Sequence, residues 1–204
     1  MARTTFARSA HIAATLAVCF VAAASIGAQP DQSQQPPRER LLGVAREIMQ
    51  AARYCAVITV DEAGWPQART IDAFAPDETM VVWFATNPKS RKVAQIRKDP
   101  RVTLYYFDVR SQGYVTLLGR ARLVNDKAEK STRWKEGWEA FWPDRDASYL
   151  LVEVTPERLE VVSPTHGIGT DPVTWKPFTV EFGAPGRTAN VSPPNGKRES
   201  AERR

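Results

Sequence analysis

The richest chemistry in this 204-residue chain lies in Trp83-Phe84-Ala85-Thr86-Asn87-Pro88-Lys89-Ser90-Arg91-Lys92-Val93. An apolar strand runs into a turn broken by Asn87-Pro88. A helix is expected over Ser90–Lys98, with Val93 and Ile96 facing inward and Asp99-Pro100 ending it. The turn gathers a Thr hydroxyl, a Ser hydroxyl, a guanidinium and an ammonium. The first N–H groups of a helix lack partners, and its dipole favours negative charge there. Arg adds a planar fork of donors and Lys a point charge. Together they would hold a phosphate monoester without a metal. Arg91 and Lys92 oppose the dipole on which they sit. A bound anion accounts for that choice, a solvated basic first turn accounts for the same residues, and both readings stand on the residues alone.

Other candidate groups are sparse. His166 lies in a Gly-rich loop, Ser163-Pro164-Thr165-His166-Gly167-Ile168-Gly169, which could close over a ligand or simply expose a histidine. No second His, Cys pair or acidic cluster accompanies it, so no metal site is expected. No serine has a visible base, so no hydrolase triad is expected. Asp171-Pro172-x-Thr174-Trp175-x-Pro177 reads as an ordered loop anchored by the packing of Trp175.

The elements that must position these groups follow from periodicity. Leu41, Leu42, Ala45, Ile48, Met49 and Ala52 recur at three- and four-residue spacing, which predicts an amphipathic helix over Arg38–Tyr54. Strands are expected at Ala56–Val60, Gln67–Phe74, Met80–Thr86, Val102–Asp108, Tyr114–Val124 and Tyr149–Val154, with Glu157–Val162 extending or following the last after Pro156. Asp126 caps a helix expected to run to about Phe141. Tight turns between successive strands favour a mainly β (α+β) fold: an antiparallel six-stranded barrel with flanking helices, in one domain over residues 38–182.

Two segments carry a stronger signal together. Phe84-x-Thr86-Asn87-x-x-Ser90-Arg91-Lys92, followed by Ile96 and Asp99-Pro100-Arg101-Val102, resembles the signature of the pyridoxamine 5'-phosphate oxidase-like family of FMN-binding split β-barrels. Ala56-Val57-Ile58-Thr59-Val60-Asp61-x-x-Gly64-x-Pro66-x-x-Arg69 resembles that family's first hairpin. The resemblance spans about Ala45 to Glu160. The general stress protein branch is the nearer one, through its helical Trp/Phe segment, here Trp134, Trp138, Phe141 and Trp142.

The resemblance implies FMN as cofactor. Arg69, Thr86, Ser90, Arg91 and Lys92 would hold its phosphate. The backbone at Thr70, Ile71 and Asp72 would face the pyrimidine edge of the flavin. Tyr114 stands where the oxidases carry a flavin-contacting Gln. Trp138 or Trp142 could neighbour the flavin across a homodimer interface, with core packing as the other role of each. The oxidases carry a Lys five residues after the strand-two Arg, where this chain has Phe74, and their basic, Trp-containing substrate segment is not evident. The family reading therefore leads to a flavin-dependent oxidoreductase with a small-molecule substrate. The alternatives are a non-enzymatic flavin-binding or stress-related module, a split barrel binding a deazaflavin or haem, and a cofactor-free periplasmic interaction protein.

Bulk properties complete the expectation. With 43% hydrophobic and 25% charged residues the chain has the balance of a globular protein. Its net charge is +5, but the basic residues form no stripe, so nucleic acid is not an expected partner. Arg3 and Arg8, the apolar run Ile12–Ile26 and the small residues Ala24, Ser25, Gly27 and Ala28 have the three-part layout of a signal peptide over 1–28. The expected product is periplasmic or secreted, without stable membrane insertion. Cleavage removes Arg3, Arg8 and Cys19, lowering the charge from +5 to +3 and leaving Cys55 as a lone, buried thiol. Residues 29–37 read as a linker and 183–204 as a disordered tail.

Overall fold

A computed structural model describes residues 35–183; the expected signal peptide, most of the linker and all but the first residue of the expected tail lie outside them. Helix α1 (Arg38–Ala52) buries Leu41, Leu42, Val44, Ala45, Ile48 and Met49, the stripe set by its helical spacing. Strands β1 (Tyr54–Val60), β2 (Pro66–Asp72) and β3 (Val82–Thr86) lead into helix α2 (Arg91–Lys98). Strands β4 (Arg101–Asp108) and β5 (Gly113–Val124) follow, then short helices α3 (Lys127–Thr132) and α4 (Arg145–Ser148), and strands β6 (Leu150–Val162) and β7 (Phe178–Glu181).

Neighbouring strands are antiparallel, in the order β2-β1-β4-β5-β6-β3. The path curls until its two edges approach, where the Phe74 N–H donates to the Trp83 carbonyl at 2.7 Å. This is the six-stranded split barrel expected from the sequence, with helices at its flanks. Alternation along β4 and β5 sends Val102, Leu104, Tyr106, Val115 and Leu117 inward to a core that also takes Phe84, Val154 and Leu159. Burying each large apolar side chain contributes on the order of 1.5–3 kcal/mol.

Of the two alternatives after Pro156 the extension holds, and two features depart from the pattern expected. Strand β6 runs unbroken through Pro156, which lies opposite Gly119 of β5 beside a bulge where Glu157 is the extra residue of β6. A bulge leaves a residue unpaired, so a proline without an N–H is tolerated there. Gly119 is required: a Cβ on it would lie 2.3 Å from the Thr155 carbonyl oxygen. A seventh strand, β7, pairs with the second half of β6, while β3 pairs with the first half. Finally, α3 stops at Thr132 instead of reaching Phe141. Gly137 adopts a left-handed φ of 82° and Trp138–Ala140 forms only a 3-10 turn. Trp134, Trp138 and Trp142 have helical spacing, but they pack on one another from a loop.

Candidate anion-binding site

Strand β3 delivers Thr86, 3% exposed, to the start of α2. The Asn87 carbonyl accepts from the Ser90 N–H at 3.0 Å, and the Asn87 side-chain oxygen accepts from the Lys89 N–H at 2.8 Å. This turn sets Ser90 as the N-cap, yet its hydroxyl does not cap the helix. It lies 3.1 Å from the Thr86 hydroxyl, which also accepts from the Lys92 ammonium at 2.9 Å. From β2, Arg69 comes near this group. Its guanidinium donates to the Thr59 hydroxyl at 2.6 Å, the Gln67 carbonyl at 2.8 Å and the Gln95 side-chain oxygen at 2.7 Å.

The electrostatics are one-sided. Burial pushes the Lys92 ammonium below its ordinary pKa, and the charge of Arg69 pushes in the same direction. Burial likewise lowers Arg69, with Arg91 adding repulsion. Surface arginines such as Arg101, Arg120, Arg122 and Arg158 each pair with an acidic residue. Among the described residues no carboxylate forms a salt bridge with Arg69, Arg91 or Lys92. The first turn of α2 contains no acidic residue either. A cleft of about 420 Å³ opens between α2 and the β1–β2 hairpin; Gln67, Arg91, Gln95 and Lys98 line it, with Asp61 and Glu62 from the hairpin turn, neither of which forms a salt bridge with Arg91.

A family model described as pyridoxamine 5'-phosphate oxidase matches residues 41–163. The chain belongs to the pyridoxamine 5'-phosphate oxidase family. Among solved structures, a protein related to general stress protein 26 from Clostridium acetobutylicum superimposes with a TM-score of 0.60 at 23% identity, over 72% of this chain and 97% of that one. General stress protein 26 from Bacillus anthracis superimposes with a TM-score of 0.53 at 22% identity, over 60% of this chain and 94% of that one. At these identities the likeness establishes the fold. A search of curated proteins finds no match.

The family-derived residues fall into two groups. Thr86, Ser90 and Lys92 are joined by hydrogen bonds, while Arg69 is held in a second network with Thr59 and Gln95, near enough to Lys92 and Arg91 for their charges to interact. The others lie apart. Thr70 is exposed on the outer face of β2, opposite Ala56. Ile71 points into the core, so only its backbone could meet a ligand. Asp72 is half-buried, and its carboxylate takes the Lys135 ammonium at 2.7 Å and Arg53 at 3.6 Å. Tyr114 lies on the outer face of β5, its ring 5.8 Å from that of Tyr105. Trp138 is buried in a cluster with Phe74, Trp134, Trp142 and Tyr149, which is a packing role.

Three placements were not foreseen. Thr59 and Gln95 hold Arg69, although neither stood out in the sequence. Thr59 lies two residues from Val57, the pairing partner of Arg69, and Gln95 is one helical turn beyond Arg91, which is the signal that could have found them. The histidine loop does contain a serine–base contact: Ser163 Oγ lies 2.8 Å from His166 Nδ1, and His166 Nε2 lies 3.0 Å from the Glu47 carboxylate. Ser163 is 0% exposed, so this chain of contacts ties the loop to α1 and offers no accessible nucleophile. Trp175, expected to pack, is instead 78% exposed. Its loop is held by Asp171, which accepts from the Val173 and Thr174 N–H groups.

Proposed function

We propose that this protein is an FMN-binding oxidoreductase of the family, acting on a small molecule as a homodimer, and that the turn at Thr86–Lys92 together with Arg69 holds the FMN phosphate. One observation carries the reading: three cationic side chains and two hydroxyls gather near the junction of β3 and α2, and among the described residues no carboxylate forms a salt bridge with any of the three cations. Gathering like charges in a partly buried place is unfavourable unless an anion offsets it. A phosphate monoester fits that donor set, because its oxygens accept from Arg, Lys, hydroxyls and the free amides of the first turn of α2. FMN when bound would supply hydride or electron transfer. The residues of this chain would bind, orient and shield it.

The homodimer is inferred from the outer face of the sheet. Tyr54, Tyr105 and Phe107 are 49%, 38% and 47% exposed there, an apolar surface that a second copy would cover. Pairing aligns Thr70, Ala56, Tyr105 and Thr116 in one row across this face. The free edge of β2 would therefore lie close to the partner. The signal-peptide layout expected over 1–28 supports a proposed location outside the cytoplasm.

The test is the visible spectrum and mass of ligand released from natively purified protein, with titration of apoprotein by FMN and riboflavin. Flavin absorbance is expected; a Soret band overturns the assignment. Arg91→Ala and Lys92→Ala are each expected to weaken FMN by roughly 10- to 100-fold and riboflavin little, the scale of one charge-assisted hydrogen bond. Equal loss for both ligands would place the phosphate elsewhere.

A further inference from the structure

Arg69 is held in an unusual way for a partly buried arginine: all of its acceptors are neutral. Its guanidinium donates to the Thr59 hydroxyl at 2.6 Å and to the Gln95 side-chain oxygen at 2.7 Å. The Thr59 hydroxyl donates in turn to the same Gln95 oxygen at 2.6 Å, closing a ring of three side chains. The Gln67 carbonyl takes one further bond at 2.8 Å. An arginine has five N–H donors. Three are committed here, so two remain for a ligand.

We infer that Thr59 and Gln95 are positioning residues that fix Arg69 without quenching its charge, and that this neutral clamp sets the preference of the site for a phosphate-bearing flavin over an uncharged one. The inference rests on the FMN reading above and assigns the origin of that specificity. Thr59 is 1% exposed, so its hydroxyl requires internal partners, and Arg69 and Gln95 supply them. Gln95 also lines the cleft with Arg91, one turn earlier on the same face of α2. An acidic residue at position 95 would have been the more stabilising choice for the ligand-free fold, because it would pair with Arg69. The amide keeps the guanidinium fixed and leaves its charge to an incoming anion. The clamp thus trades fold stability for anion affinity.

That trade separates the inference from a purely structural role. Gln95→Glu, Thr59→Val and Thr59→Ser would be titrated with FMN and with riboflavin, and the thermal midpoint of each apoprotein measured. For Gln95→Glu the expected result is a loss of FMN affinity of roughly tenfold or more, riboflavin affinity within about twofold, and an apoprotein midpoint unchanged or raised. Thr59→Val should lower the FMN-to-riboflavin affinity ratio, and Thr59→Ser should restore it. A wild-type ratio in Gln95→Glu, or equal loss of both ligands, overturns the clamp. Arg91→Ala measured alongside distinguishes the two levels. If it lowers the ratio while Gln95→Glu does not, only the clamp fails; if neither lowers it, the phosphate assignment fails with it.

Discussion

The Lys135 ammonium reaches back 63 residues to the end of β2, 2.7 Å from the Asp72 carboxylate and 2.6 Å from the Ala73 carbonyl. It also lies 4.8 Å over the Phe74 ring and 5.4 Å over that of Trp138. Position 74 is where the oxidases carry a lysine. In this chain a cation comes to the same neighbourhood from the loop between β5 and β6. It pins the tryptophan cluster across the seam between β2 and β3.

Removing that pin should loosen the seam. Lys135→Met leaves a half-buried carboxylate with only Arg53 at 3.6 Å, a loss expected to cost about 1–3 kcal/mol. Burial disfavours the charged form of Asp72, but the bond and charge of Lys135, with help from Arg53, outweigh it and hold the carboxyl below its ordinary range. A depressed folded-state pKa contributes stability above the unfolded value, near 3.8, and that stability fades as pH falls through the folded value. Urea midpoints from pH 7 down to pH 3 should therefore converge for wild type and Lys135→Met. Near-UV circular dichroism should show weaker tryptophan bands in the variant at pH 7.

Cys55 should be inert in the native state. Burial pushes its thiol up to about 12, from an ordinary value of 9.0. Burial also raises Tyr106 well above its ordinary 10.0. Groups whose folded pKa is raised contribute stability fully below the unfolded value and lose it as pH rises toward the folded one. The urea midpoint should fall above about pH 9, and a disulfide reagent should label Cys55 only after unfolding. The Tyr106 hydroxyl makes no hydrogen bond of sound geometry and has the thiol beside it as a weak partner. Tyr106→Phe should be neutral or stabilising at pH 7.

The bulge at Gly119 should not tolerate a methyl group. Gly119→Ala would drive a Cβ against the Thr155 carbonyl and is expected to cost more than about 2 kcal/mol or abolish soluble expression. Gly43→Ala, in α1 with nothing within 4 Å of the added carbon, is the control. It should raise stability by about 0.5–1 kcal/mol. Thermal denaturation of the pair decides the point.

A charge placed on the aromatic outer face should dissociate the proposed dimer. Tyr105→Glu is expected to sediment as a monomer and to bind FMN more weakly, because the row from Thr70 to Thr116 would lose its cover. Sedimentation of Tyr105→Glu identical to wild type would show that this face does not join two copies.

The parts legible in the sequence were those encoded over short stretches. The stripe of α1 and the strand–turn–helix at Thr86–Lys92 each depend on residues close in the chain, and resemblance added Arg69 from one hairpin away. The illegible parts depend on register. Thr59 meets Arg69 because β1 and β2 pair Val57 with Arg69, and Gln95 arrives only when α2 packs on that hairpin. Lys135 carries no local signature of its contact with Asp72. Trp134, Trp138 and Trp142 misled because a spacing of four suits a helix, while Gly137 and the pull of Lys135 favour a loop. Strand β7 is short, and although its partner, the far half of β6, was expected as strand, nothing local to Phe178–Glu181 marks the pairing.

Thr86 sits at the end of β3, and β3 pairs with the first half of β6, with Thr86 opposite Leu150. As the chain leaves the ribosome, every residue of the binding motif therefore emerges well before the strand that fixes its position. A polypeptide ending before Leu150 would carry the whole motif yet hold no ligand. On the proposed reading, ligand capture is thus a late event in folding, gated by a pairing of long sequence separation. Retention of the proposed chromophore would then report that the barrel has closed.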